Sequence, residues 1–197
     1  MRRRLSPAAG SEAGFTLVEV VISMAVIAVI FAMYSVVMSS TIRGSTRVQE
    51  NSVLQGEVRS AVEAIARDLR QAYTGNGTPA LETMTASQIQ FLSPDRSTPL
   101  HLRRINYRVS GKLLQRAMAR SSNTGAPPWT FPALPAYSTE LGSVSSSTVF
   151  SYYAADGSVT TTAADVAGVT IRVSVTNPST PNVAYTYATS VALRVAQ

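Results

Sequence analysis

Residues 14–38 read GFTLVEVVISMAVIAVIFAMYSVVM, and the fold turns on this stretch. From Val20 to Met38 only Ser23 and Ser35 interrupt the apolar run, and no charge follows until Arg43. A helix of about 20 such residues, rising about 1.5 Å per residue, covers the hydrocarbon core of a bilayer. Ahead of it lies MRRRLSPAAGSEAG, with Arg2, Arg3 and Arg4 adjacent. Positive charge beside a first hydrophobic segment holds that flank in the cytoplasm and directs the rest outside. A secretory signal would have a shorter apolar region followed closely by a small-residue cleavage site. This segment is longer and no such site follows closely, so it is expected to remain in the mature chain.

Glu19 is the anomaly, a carboxylate where hydrocarbon begins. At that depth a charge costs a few kcal/mol on insertion scales and calls for a partner or a function. The competing reading is an interfacial residue whose head snorkels into water. Gly14-Phe15-Thr16-Leu17-Val18-Glu19 resembles the processing site of type IV prepilins and the related pseudopilins. The resemblance implies cleavage between Gly14 and Phe15 by a prepilin peptidase and N-methylation of Phe15. It also implies a role for Glu19, by then the fifth residue of the mature chain, in filament assembly. Physically, cleavage would leave an α-ammonium on Phe15 among apolar helices, and Glu19 of a neighbouring subunit could offset its burial.

Beyond the membrane the helix is expected to continue. Val48, Leu54, Val58, Val62, Ile65, Leu69 and Tyr73 fall largely at three- and four-residue spacings, with Glu57, Arg59, Glu63, Arg67 and Asp68 elsewhere. Thr74 to Pro79 (TGNGTP) stops it. One helix from Phe15 to Tyr73 follows, apolar in its first half and amphipathic in its second, and the second half must lay its apolar face on a sheet. Strands are expected at Gln88–Leu92, His101–Val109, Lys112–Met118, Thr148–Ala154, Val169–Thr176 and Tyr185–Val195, with turns at Ser110-Gly111, Asp156-Gly157 and Asn177–Asn182. Helix first and antiparallel sheet after gives an α+β, pilin-like fold with the helix packed on one sheet face. The expected segments are a cytoplasmic leader (1–14), a membrane and assembly half-helix (15–42), an amphipathic half-helix (43–74) and a globular sheet domain (75–197). No internal repeat is evident.

The second half is similar to minor pilins and pseudopilins of the PilW/J type. The similarity lies in Ala66-Arg67-Asp68-Leu69-Arg70-Gln71-Ala72, in Ile105-Asn106-Tyr107-Arg108-Val109 through Leu114-Gln115-Arg116, in Phe150 to Gly157 (FSYYAADG), and in the closing Ser190-Val191-Ala192-Leu193-Arg194. The chain ends VAQ where many members have an asparagine after that arginine. What the resemblance implies is a non-enzymatic subunit of a type IV pilus, or else a J-type pseudopilin of a type II secretion system. Its partners would be other pilins or pseudopilins, the prepilin peptidase, the inner-membrane assembly platform and the lipid bilayer. It would be anchored once in the inner membrane with its C-terminal domain extracytoplasmic.

Composition narrows the alternatives. Cysteine is absent, which removes disulfides, thiolate catalysis and Cys-based zinc sites. One histidine, His101, leaves no multi-histidine metal site, and no set of convergent catalytic groups can be assembled, so neither metal nor cofactor is expected. The competing class is a membrane-anchored extracytoplasmic domain that binds a ligand or performs hydrolysis. Lys and Arg number 17 against 11 Asp and Glu, and Arg104, Arg108, Lys112 and Arg116 cluster around one hairpin. They are the candidates for a phosphate-tracking surface toward DNA or another partner; the competing reading makes Arg104 and Arg108 the polar face of an amphipathic strand. Asp68, beside Arg67 and Arg70, reads as part of a solvated helix face with local ion pairs. Asp156-Gly157 reads as an ordinary turn in preference to a calcium loop, and Tyr152, Tyr153, Tyr185 and Tyr187 as packing residues.

Overall fold

Leu17–Leu69 form a single 53-residue helix, α1. The computed structural model describes residues 16–73, 79–125, 127–178 and 180–193. Thr16 starts the helix: its backbone oxygen accepts from the N–H groups of Glu19 and Val20 at 3.0 and 3.2 Å, and its Oγ1 accepts from the Glu19 N–H at 3.3 Å. That is an N-cap, satisfying donors the helix itself leaves free. The apolar half is rich in Val and Ile, poor helix formers in water, but in hydrocarbon a helix satisfies every backbone group internally. Four hydroxyls toward its end obey the same requirement. Ser35, Ser39, Ser40 and Thr41 donate back to the carbonyls of Phe31, Ser35, Val37 and Val37 at 2.7–3.0 Å. Every residue from Thr16 to Glu50 is exposed.

The chain divides between Val48 and Gln49 into two units. In the second, α1 buries Val58, Ala61, Val62, Ile65, Ala66 and Leu69. Steps of three and one along that set make a single stripe on one helix face. The helix stops four residues earlier than expected, because Gln71, Ala72 and Tyr73 leave it: the Tyr73 N–H donates to the Leu92 carbonyl at 2.7 Å. The expected stop at residues 74–78 lies outside the described residues.

Two antiparallel sheets follow where one was expected. The first is a meander of β1 (Leu81–Met84), β2 (Gln88–Asp95), β3 (His101–Ser110), β4 (Leu113–Arg120) and β5 (Ser138–Leu141), in that spatial order. The second contains β6 (Phe150–Tyr153), β7 (Gly168–Asn177) and β8 (Thr180–Ala192), again in sequence order. The β3–β4 hairpin pairs Ser110 with Leu113, leaving Gly111-Lys112 as its two-residue turn, with Gly111 at φ +60°. Asn177 pairs with Thr180, so the expected six-residue turn there shrinks and β8 begins at Thr180.

Both sheets turn their apolar faces into one core with the helix stripe. Ile89, Phe91, Ile105, Tyr107 and Leu114 come from the first sheet, and Phe150, Val169, Ile171, Val173 and Val191 from the second. The sheets are stitched where the chain passes between them. Ala86 O accepts from the N–H groups of Val149 and Phe150 at 2.7 and 3.0 Å, and Val144 bridges to Val175. One long helix with antiparallel sheets behind it is the α+β, pilin-like architecture expected.

Candidate functional site

Two places in the chain concentrate chemistry: the start of α1 and the β3–β4 hairpin. Gly14 and Phe15 lie outside the described residues. Glu19 is in the first turn of α1, its side chain exposed, where a carboxylate complements the positive end of the helix dipole. Behind it Leu17, Val18, Val20, Val21, Ile22 and Met24 are all between 46% and 81% exposed. A continuous apolar surface of this size is not left to water in a stable protein; it is covered by lipid or by other helices. The helix is long and apolar enough to cross a membrane.

The hairpin cations do not form one surface. Successive side chains of a strand point to opposite faces. Ile105 and Tyr107 face the core, so Arg104 and Arg108 stand on the outer face of the first sheet. Arg116 is paired in register with Tyr107 and lies on the core side. Arg104 forms a two-pronged ion pair with Glu82, at 2.7 and 2.8 Å, under the Phe131 ring at 4.2 Å. The Arg108 guanidinium stacks 3.5 Å from the Tyr137 ring centroid and its Nε donates to Gln115 at 3.1 Å. Lys112 is exposed at the turn. Arg104 is neutralised by Glu82 and Arg116 by Asp68, and a polyanion approaching this hairpin would meet chiefly Lys112 and the open edge of Arg108.

The aromatic rings come from the proline-rich segment between β4 and β5, which folds over the outer sheet face. Tyr137 OH donates to Asn106 Oδ1 at 3.3 Å, and Asn106 Nδ2 donates to Gln90 at 2.8 Å, so a buried amide on this face is satisfied. Trp129 and Phe131 also line a groove of about 1070 Å³ that reaches the Glu82–Arg104 pair.

Asp68 corrects the expectation of a solvated helix face. Its Oδ2 accepts from the Tyr107 hydroxyl at 2.8 Å and from Arg116 at 3.1 Å, partners 39 and 48 residues away. The three side chains pin the end of α1 to the middle of the first sheet. Burial and the neighbouring Asp68 carboxylate push the Tyr107 hydroxyl well above the ordinary tyrosine range. Tyr152 is raised as well, by burial, while its hydroxyl donates to Thr85 O at 2.8 Å.

Both shifts have one consequence for stability. A tyrosine whose folded pKa exceeds its unfolded value stabilises the fold below the unfolded value, and that contribution is lost as pH rises from there toward the folded one. Thermal unfolding followed between pH 9 and 12 should therefore show stability falling above about pH 10, with a limiting slope near 1.4 kcal/mol per pH unit for each buried tyrosine. Tyr107→Phe should flatten that slope; an unchanged slope would mean the hydroxyl ionises freely in the folded chain.

The remaining candidates fall as follows. His101 opens β3 with Nδ1 3.1 Å from Ser121 O. Asp156 Oδ1 accepts from the Ser158 N–H and hydroxyl at 2.8 and 2.6 Å, which hold its carboxyl below the usual range, with Gly157 at φ +84° completing the turn. Tyr152 is buried, and Tyr185 and Tyr187 pack against the core. Among the described residues no three His, Asp or Glu side chains come together as a metal site.

Against known families, residues 10–35 match the model described as the prokaryotic N-terminal methylation motif. They carry a type IV pilin-like prepilin signal, which implies processing by a prepilin peptidase and assembly with other pilins. The signal and the apolar helix behind it are consistent with inner-membrane anchoring. No curated protein matches the chain.

Proposed function

We propose that this chain is a minor pilin-like structural subunit, cleaved between Gly14 and Phe15, methylated at Phe15, and assembled into a type IV pilus through its N-terminal helix. The observation that carries the reading is the methylation motif at residues 10–35 running directly into a helix whose apolar first half, to Glu50, is exposed. The leader (1–14) stays cytoplasmic, residues 15–42 provide the membrane and assembly half of the helix, and the sheet domain lies outside. In the membrane the apolar half rests among lipids; in a filament the same surface packs on other pilin helices. Glu19 pairs with a neighbour's Phe15 ammonium, an interaction that fixes stagger better than it adds stability. The role is structural. The sheet domain supplies the surface that distinguishes one subunit from another, and the PilW/J-type likeness of its segments favours a minor over a major position.

Mass spectrometry of the N-terminal peptide from filaments sheared off intact cells tests this. A peptide beginning at methylated Phe15 is the expected result. The uncleaved leader in membranes, with nothing in the sheared fraction, would overturn the filament assignment in favour of a simple anchored domain. A processed terminus retained in membranes, together with loss of protein export when the chain is deleted, would move it to a secretion pseudopilus.

A further inference from the structure

The edges of the two sheets are treated differently by the sequence. β1, β5 and β6 are four residues each, and the first two carry Glu82 and Glu140. Short or charged edges resist pairing with another chain. β8 is the opposite case: thirteen residues, TPNVAYTYATSVA, without a charge. It pairs with β7 on one side and, among the described residues, with no strand on the other.

The register settles which backbone groups of β8 face outward. Arg172 N–H donates to Val149 O, so the even-numbered residues of β7 bond toward β6. Leu193 N–H donates to Ala167 O, and the register Val169↔Val191, Ile171↔Thr189, Val173↔Tyr187, Val175↔Tyr185 continues that set of hydrogen-bonded pairs. The odd residues of β8 are therefore used by β7. Ala184, Thr186, Ala188 and Ser190 turn their N–H and C=O groups to the open edge. Their side chains are exposed and small, while Val191 is buried and Tyr185 and Tyr187 pack against the core. Thr170–Ser190 and Ser174–Thr186 hydroxyl pairs at 2.8 and 2.7 Å hold this face in register.

We infer that the β8 edge, over Ala184–Ser190, pairs antiparallel with the same edge of a second copy of this chain. A two-fold axis at Tyr187 sets Thr186 opposite Ala188 and Ala184 opposite Ser190 of the other copy, so a charge near the axis would meet its like. This strand has none, and its outer face offers only Ala, Thr and Ser to the partner. Each of the four outward residues can exchange two hydrogen bonds with its opposite number. An edge of this length buries less surface than a stable soluble dimer needs, about 1,200 Å² or more. Confinement to one membrane raises the effective concentration and compensates. The inference depends on neither cleavage at Gly14 nor filament assembly.

The chain has no cysteine, which makes the test direct. Single variants Thr186→Cys, Ala188→Cys and Ser190→Cys of the full chain are oxidised in membranes and after purification in detergent, with Thr170→Cys on β7 as the same-face control. Disulfide-linked homodimer at one or more β8 positions in membranes, well above the control and weaker once detergent removes the confinement, is the expected result. Placed in the Thr186→Cys chain, Ala188→Pro, which removes an outward N–H that the fold does not use, and the pair Ala184→Lys/Ala188→Lys should abolish the cross-link while leaving the thermal unfolding of the sheet domain unchanged. Cross-linking no stronger than the control would overturn the inference. So would a dimer that survives both edge variants, which would be held by the helix, and so would a cross-link to a chain of different mass in membranes with none in the purified protein.

Discussion

Glu19→Ala is expected to leave the chain inserted and cleaved but to reduce its incorporation into filaments at least tenfold. Insertion depends on the apolar run from Val20 to Met38, which the substitution leaves intact and extends by one residue. The helix start also survives, because the cap is made by Thr16 with the Glu19 backbone N–H, and no side-chain oxygen of Glu19 is needed. On the proposed assembly, what is lost is the countercharge for a Phe15 ammonium entering an apolar helix bundle. A buried charge deprived of its partner costs several kcal/mol, and each 1.4 kcal/mol is tenfold in an equilibrium. Glu19→Gln separates charge from hydrogen bonding: as a neutral acceptor it should recover little of the loss, while Glu19→Asp should recover part. Immunoblots of sheared and membrane fractions, with the N-terminal peptide identified in each, give the measurement. Wild-type incorporation of the alanine variant would show that Glu19 is an interfacial residue with its head in water.

The features legible in the sequence are those encoded locally. Gly14, Phe15 and Glu19 lie within six residues of one another, and the apolar run follows without a gap. The stripe Val58, Val62, Ile65, Leu69 repeats at helical spacing, and β7 alternates cleanly because one of its faces is core and the other is Thr, Arg and Ser. β1 and β5 were not legible: four residues carrying one buried Leu each show no alternation. The division into two sheets also escaped, since it depends on where the chain between Gly142 and Val149 makes its hydrogen bonds. Those go to Ala86, Lys112 and Ser174, partners that no local pattern names.

The hairpin illustrates the same limit from the charge side. Spacing collects Arg104, Arg108, Lys112 and Arg116 into one cluster, but strand alternation sends Arg116 to the other face, and the countercharge of Arg104 lies 22 residues away on a strand too short to foresee. The rings over Arg104 and Arg108 come from Phe131 and Tyr137, in a segment whose prolines announce only a loop. A cation count locates basic residues; it does not say which are already neutralised.

Asp68→Ala, at the end of α1, should cost about 3 kcal/mol. The Asp68 and Arg116 side chains retain 19% and 26% of their exposure, so the pair is only partly wet. Removing the carboxylate leaves the Tyr107 hydroxyl buried without an acceptor and Arg116 without a countercharge, while Arg116 Nε is already unbonded in the intact protein. For a domain of this size the midpoint of thermal unfolding should fall by about 9 °C. Asp68→Asn keeps an acceptor for the tyrosine and should lose about half as much. Tyr107→Phe, which removes the donor together with its need for a partner, should cost about 1 kcal/mol. The double variant Asp68→Ala/Tyr107→Phe should be less damaging than the sum, because the orphaned hydroxyl no longer exists to be counted. Replacing all three groups with apolar residues of similar size should restore much of the stability, since the charges are dear to desolvate and it is the half-broken network that hurts most. A loss under 0.5 kcal/mol for Asp68→Ala, vanishing in 1 M salt, would identify an ordinary surface pair. The stripe from Val58 to Leu69, with the Tyr187 hydroxyl donating to Glu63 at 2.8 Å, would then be what holds the helix on the sheets.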